Sequence, residues 1–292
     1  MAVTFQKIHY NLLKQWGALR PAQEVKADAP LFAACVFKNE APFLKEWIDF
    51  HLKRGVQKFY LSDNGSTDNF EEVLAPYVKR GLVSISKTPF TKWSIRKQAQ
   101  EFNRLVQKIK SEQGSDCWVA FIDIDEYLFS VEPRGVRDIL NSFKGKEVAA
   151  VQVNWLMFGT SGLKKLDKAK PMIEQLTKRA PMEHDENTNF KPIAYLANTF
   201  QFFEGPHLPI HKGNAQFYFS DGSNFAPSRK EGKHSPLRLN HYWYRAEDDY
   251  YQEKVTKREA YGDYRKRELE EWHMNRCNEV EDLEILKLKD EV

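Results

Sequence analysis

Between Leu31 and Phe129 the chain alternates short apolar runs of strand length with stretches of helical periodicity, and this alternation constrains the fold more than any other feature. Leu31–Phe37 (LFAACVF) reads as a strand buried on both faces. Pro42 opens a helix whose apolar face is Phe43, Leu44, Trp47, Ile48 and Leu52, and Gly55 closes it. A second strand begins at Phe59-Tyr60-Leu61. A helix over 71–79, a short strand over 82–86 and a long helix over 95–110 follow, before another strand at Trp118. The repeat predicts an α/β fold with a mostly parallel, Rossmann-like sheet, helices on both faces and right-handed crossovers.

In such sheets ligands sit outside the carboxyl ends of the strands. Residues 118–129 (WVAFIDIDEYLF) deliver charge to that edge, because the apolar run Val119-Ala120-Phe121-Ile122 stops on Asp123, Asp125 and Glu126. Two aspartates one residue apart can share a hard divalent cation, Mn2+ or Mg2+, whose open positions take phosphate oxygens. A charged strand end, with Glu126 beginning a turn, would account for the same residues without a metal. The second strand runs into Ser62-Asp63-Asn64-Gly65-Ser66-Thr67-Asp68 at the same edge. There Asp63 and Asn64 could read a base or ribose. Equally, Asn64-Gly65-Ser66 is an ordinary turn, and Thr67 or Asp68 a cap for the helix near Glu71.

With 292 residues, 41% of them hydrophobic and 13% aromatic, the chain can bury a large core. A net charge of +3 does not point to nucleic acid. Cys35, Cys117 and Cys277 are too few and too widely spaced for a disulfide framework or a zinc site, which makes a reducing, cytoplasmic location the expectation. There is no apolar run of about 18 residues and no signal-peptide core. Residues 1–30 form a separate helical segment carrying Phe5, Ile8, Leu12, Leu13, Trp16 and Leu19 with Lys7, Lys14 and Arg20. It is read as a packing helix, with peripheral contact to an inner membrane face as the alternative. Residues 31–245 form the body. Residues 246–292 form a charged helical extension, read as packing with oligomer or partner contact as the alternative, in which Tyr250, Val255, Leu269, Trp272 and Met274 supply the apolar spacing. Residues 164–189 are charged and poorly periodic, as in a mobile loop over a site.

The sequence CVFKNEAPFLKEWIDFH, then FYLSDNGSTD, then WVAFIDIDEYLF resembles the nucleotide-sugar-dependent glycosyltransferases of the A-type fold, and more narrowly their family 2 and family 92 group. Further elements follow in the same order. Asn154-Trp155-Leu156-Met157-Phe158-Gly159-Thr160-Ser161-Gly162 is similar to that group's W-x-x-F-G-x-x-G element, and Lys191 with His207-Leu208-Pro209 to its K…H-x-P positions. Asn240-His241-Tyr242-Trp243-Tyr244-Arg245 is similar to its N-H-Y motif, with Lys254 in the helix after it. The likeness covers residues 31–261.

The resemblance implies a donor of the nucleoside-diphosphate-sugar class, with uridine diphosphate the expected leaving group. It implies that Asp63 and Asn64 hold base or ribose, that Asn39 and Glu40 line the nucleotide pocket, and that Asp123 and Asp125, completed by His241, hold the metal. Lys191 or Arg96 would add positive charge at the phosphates, and Asn103, on the same helix as Arg96, is a further candidate to bind the nucleotide sugar. Trp155 and Gly159 would lie under the acceptor, a glycan or glycolipid hydroxyl, as in lipopolysaccharide or other polysaccharide biosynthesis. Inversion is expected from the group and requires a base. Glu126, Asp221 and His207 are the candidates, followed by Glu183, Asp185 and Glu204. A metal-dependent phosphatase of the haloacid-dehalogenase type is the alternative, though it would place its Asp-x-Asp strand near the N-terminus. A nucleotidyltransferase would need a Gly-rich phosphate loop near the start, and a non-enzymatic binding protein would have no use for the ordered set.

Overall fold

The computed structural model of the chain describes residues 2–90, 94–203, 205–255 and 266–288. Its first half comprises α1 (Ala2–Ala18), β1 (Leu31–Phe37), α2 (Ala41–Lys53), β2 (Lys58–Asp63), α3 (Phe70–Lys79), β3 (Val83–Lys87) and α4 (Ile95–Gln113). Next come β4 (Trp118–Phe121), β5 (Glu126–Ser130), α5 (Val136–Asn141), β6 (Val148–Met157), α6 (Met172–Gln175), β7 (Lys178–Arg179) and β8 (Phe190–Tyr195). The remainder is β9 (Thr199–Gln201), β10 (Ile210–His211), β11 (Gln216–Phe219), β12 (Leu237–His241), α7 (Glu247–Asp249) with a π-helical turn Tyr250–Val255, α8 (Arg267–Arg276) and β13 (Val280–Glu281).

The main sheet runs β3-β2-β1-β4-β8-β6-β12-β5, with β11 also beside β6. Pairing is parallel through β3, β2, β1 and β4, and from β6 to β11 and β12. It is antiparallel where β8 joins β4 to β6, and where β5 joins β12. The alternation of β1 shows why its run is continuously apolar. Leu31, Ala33, Cys35 and Phe37 enter a core with Leu44, Trp47 and Ile48 of α2 and Leu74 of α3. Phe32 and Ala34 enter another with Phe102, Leu105, Val106 and Ile109 of α4. Helices therefore cover both faces, and each strand residue has an apolar partner. The expected α/β architecture and its mostly parallel sheet are present.

Three local expectations are revised. Glu126, read as beginning a turn, instead begins a second strand beyond the acids. β4 stops at Phe121, and a turn closed by Glu126 N–H donating to Asp123 O (3.1 Å) redirects the chain into β5. Glu126 consequently begins a buried strand. Asp68 caps α2 by accepting from Ala41 N at 2.8 Å, whereas α3 starts with Asn69 in the cap position and no side-chain bond there. Residues 164–189 are anchored, because Glu46 accepts from Met172 N and Ile173 N (2.7 and 3.1 Å), and Met172, Leu176 and Ala180 are buried. On α1, Leu13 is buried while Leu12 and Trp16 are exposed, as is Leu19 just after it. On α8, Leu269 and Trp272 are exposed and Met274 is buried, and the π-helical turn buries Tyr250.

β5 ends the sheet order, and α2 covers it. Trp47 Nε1 donates to Glu126 O (2.9 Å), and His51 Nε2 accepts from Leu128 N (3.1 Å) while Nδ1 meets Trp47 O at 2.8 Å. The Trp47 and His51 side chains thereby satisfy backbone groups that an edge strand leaves open. Burial lowers the His51 pKa to about 3, so the folded protein binds it neutral, whereas an unfolded histidine titrates near 6.5. Protons accordingly favour the unfolded chain below pH ~6.5, and the His51 contribution to stability should fall by about 1.4 kcal/mol per pH unit down to pH ~3. Urea midpoints at pH 7, 5.5 and 4 should show this extra slope in the wild type and not in His51→Gln. Equal slopes would contradict it.

Candidate active site

The acids of the β4–β5 turn lie at the carboxyl edge of the sheet. Asp123 Oδ2 meets Lys191 Nζ of β8 at 2.6 Å, and Gln98 Nε2 of α4 lies 3.4 Å from Asp123 Oδ1. Glu126, with no exposed surface, accepts from Asp123 N at 2.8 Å and stands 3.5 Å from Lys191 Nζ. Burial pushes the Glu126 carboxyl up to about 8, Lys191 opposing and Asp123 adding to the shift. Burial would discharge Lys191, but Asp123 and Glu126 outweigh it and raise its pKa, so the ammonium persists. Glu126 thus holds the turn in shape, and Lys191 places a fixed positive charge beside Asp123.

Asp125 faces the chain's later motif. Its backbone O accepts from Tyr242 N (2.8 Å), Lys254 Nζ of the π-helical turn sits 2.6 Å from Oδ2, and His241 Nε2 of β12 lies 3.7 Å from Oδ1. Burial works against the Asp125 charge, but the cations Lys254 and Arg245 hold the carboxyl well below the usual range. His241 is kept neutral, its pKa lowered to about 4 chiefly by burial. Trp155 of β6 packs on His241 with ring centroids 4.3 Å apart, His207 meets the Trp155 edge at 5.7 Å, and Trp243 carries Lys254 over its face at 4.2 Å. His207 Nδ1 is engaged with Phe190 O at 2.7 Å, and burial lowers its pKa to about 4.

The β1 and β2 loops clasp one another next to this turn. Asn39 takes a left-handed φ of 57°, which asparagine tolerates, and its Oδ1 accepts from Thr67 N at 2.8 Å. Ser66 Oγ accepts from Asn39 N (2.9 Å), and Asp63 Oδ1 from Ser66 N (2.8 Å). Asn64 Oδ1 accepts from Thr88 Oγ1 at 3.0 Å. Glu40 pairs with Arg245 Nη2 at 2.5 Å, which ties the end of β1 to the exit of β12.

Other sequence candidates lie elsewhere or serve packing. Both ends of the Asn103 amide are bonded to the backbone of Phe202 (2.8 and 2.7 Å), which fixes the segment after β9 to α4. Asp221 occupies an exposed turn with Ser223 and Lys233. Gly159 packs so tightly that a Cβ there would stand 2.4 Å from Asn278 Oδ1 and 2.6 Å from Cys277 O. Arg96, Glu183 and Asp185 are exposed, and Glu204 lies outside the described residues. The parts that sequence reasoning passed over, Gln98 beside Asp123 and Arg245 on Glu40, are long-range pairings without a local signal.

The donor set suits a divalent cation. Two carboxylates and a neutral imidazole match the preference of manganese for mixed oxygen and nitrogen ligands. Donors about 2.1 Å from a shared ion can be at most about 4.2 Å apart, so the 3.7 Å between Asp125 Oδ1 and His241 Nε2 is within that limit. Buried His241 Nδ1 also has no hydrogen-bond partner among the described residues. Among the described residues no three such groups are already grouped for coordination, and each aspartate also engages a lysine.

A sequence model of glycosyltransferase family 92 matches residues 32–279. The chain belongs to that family. Family 92 proteins similar to it include one from Oryza sativa subsp. japonica, 32% identical over 136 residues, covering 46% of this chain and 22% of the relative. Another from Ricinus communis is 26% identical over 212 residues, covering 72% of this chain and 34% of the relative. The chain thus spans about a third of these relatives at most. Among solved structures, S. aureus TarS 1–349 in complex with UDP is 13% identical with a TM-score of 0.32, covering 53% of this chain and 42% of that one. Glucosyl-3-phosphoglycerate synthase from Mycobacterium tuberculosis, in complex with Mn2+, UDP and glucosyl-3-phosphoglycerate, is 18% identical with a TM-score of 0.27, covering 50% and 47%. The family 92 match runs from β1 through α8 and so includes part of the C-terminal extension. No helix among the described residues is long and apolar enough to cross a membrane.

Proposed function

We propose that this family 92 chain is a metal-dependent glycosyltransferase that moves a sugar from a nucleoside-diphosphate donor, uridine diphosphate sugar foremost, to a hydroxyl of a glycan or glycolipid. The observation that carries the reading is the meeting of the Asp123–Asp125 turn with His241 and Lys191 at the carboxyl edge of the sheet. Asp125 and His241 would hold Mn2+ or Mg2+ directly, with Asp123 as the third donor. A bound cation supplies Lewis-acid stabilisation for the departing diphosphate. Lys191 adds charge that stays in place through the reaction, the kind of preorganised electrostatics that lowers such barriers. Asn39, Glu40, Asp63 and Asn64 are assigned to the nucleoside, Trp155 to the acceptor side. Of the sequence candidates for the base, Glu126 lies in the turn itself but is taken up in holding its shape, and His207, neutral and beside Trp155, is the one assigned to the base. With the family match running through every motif, the phosphatase alternative has no observation in its favour.

The test is release of UDP from a panel of UDP-hexoses by the purified chain, with Mn2+ and with EDTA. Metal-dependent release from one sugar nucleotide is expected. Release that EDTA leaves unchanged would overturn the metal assignment, and no release from any nucleotide sugar, acceptors included, would overturn the transferase reading.

A further inference from the structure

Beyond the acids, β6, the exit of β12 and α8 enclose a cavity of about 430 Å³, lined among others by Trp155, His241, Trp243, Tyr244, Glu270 and His273. We propose that this cavity binds the acceptor saccharide, with Trp243 and Glu270 as the residues that recognise it; the proposal rests on the transferase reading above. The size falls in the range of about 300–1,000 Å³ that small-molecule sites occupy. The lining suits a sugar: aromatic rings present faces against which the C–H side of a pyranose packs, and carboxylate and imidazole groups take hydroxyls.

Three observations set this wall apart from ordinary helix packing. Glu270 is only 5% exposed, although α8 carries Arg267, Glu268 and Glu271 on its solvent side, so this charged side chain is turned inward onto the cavity wall. Trp155 Nε1 and His273 Nδ1 are buried without a hydrogen-bond partner among the described residues, polar atoms that a ligand hydroxyl would satisfy. The cavity also shares His241 with the proposed metal site, the His241 ring lying 5.7 Å from Trp243 and 4.3 Å from Trp155. A hydroxyl held here is next to the donor chemistry.

The wall is fixed to the sheet. Asn278, just past α8, accepts from Ser161 N at 2.7 Å and donates to Thr160 Oγ1 at 3.3 Å, and the close approach that requires Gly159 lies at the same junction. The Trp155-to-Gly162 stretch and the C-terminal extension therefore act together, and acceptor choice is assigned to α8 as well as to β6.

The experiment is saturation-transfer difference NMR on the full chain with UDP and Mn2+, using methyl β-galactopyranoside, methyl β-glucopyranoside, lactose and cellobiose as probes. Signal from at least one probe is expected, with binding weakened about tenfold or more in Glu270→Gln and Trp243→Ala and largely restored in Trp243→Phe, while the UDP affinity of Glu270→Gln and Trp243→Phe stays at the wild-type value. Melting temperatures of the three variants separate folding defects from lost recognition. Probe signals unchanged in folded Glu270→Gln and Trp243→Phe, or no signal from any probe, would overturn the proposal. Saccharide binding that these variants abolish, in a chain that fails to bind UDP, would instead support the cavity and sink the donor reading alone.

Discussion

Asp125→Asn should lower turnover by about 10²–10³-fold or more, with a far smaller effect on folding. The substitution keeps the shape and removes the charge. Asp125 has a cation 2.6 Å from one oxygen and the imidazole of His241 3.7 Å from the other, and its carboxyl is held ionised despite complete burial. An amide there would leave Lys254 without its counter-charge and the proposed metal site without its most buried carboxylate. Lys254 is 18% exposed and can turn toward water, which limits the stability loss to about 1–3 kcal/mol. Initial rates and denaturant midpoints of the variant distinguish the two effects. An activity loss no larger than the folded fraction explains would mark Asp125 as structural only.

The second large effect is on stability. Arg245 is 2% exposed, adopts a left-handed φ of 50°, lies 3.9 Å above the Phe43 ring and pairs with Glu40. Burial raises the Glu40 pKa, and Arg245 is the largest influence opposing that shift. Arg245→Ala should cost about 3–5 kcal/mol by leaving Glu40 without this partner. It also keeps a backbone conformation that alanine resists. Arg245→Gly should recover about 1 kcal/mol of the loss, since glycine takes positive φ freely. Without Arg245 the folded-state pKa of Glu40 rises further above its unfolded value, so the deficit should shrink as pH falls from 8 to 5. Guanidinium unfolding of both variants at the two pH values checks the order and the sign. An alanine variant as stable as wild type, or more stable than the glycine one, would contradict the account.

What the sequence made legible follows the range of the interactions involved. β1 spans Leu31–Phe37 as its apolar run predicts, and the carboxyl-edge placement of Asp63 and Asp123 follows from strand direction alone. The end of β4 on the acids was legible, but β5 was not, because its short run begins on Glu126 and its pairing partner β12 lies more than 100 residues away. Asp68 illustrates a similar limit: its position in sequence points to α3, while its carboxylate reaches back to Ala41. Pairings such as Lys254 with Asp125, 129 residues away, leave no periodic trace. The inward turn of Glu270 is equally silent, since a charged residue on a charged helix reads as solvated until the opposing wall is known.

The central claim is that the edge formed by Asp123, Asp125 and His241 binds a nucleoside diphosphate together with a divalent cation. Calorimetric titration of UDP, GDP and CDP into the purified chain, each with and without Mn2+ and repeated in Asp125→Asn, tests it most directly. Binding of one nucleotide that requires Mn2+ and is lost in the variant is the predicted result. Binding of none, or binding that neither Mn2+ nor Asp125→Asn alters, would contradict it.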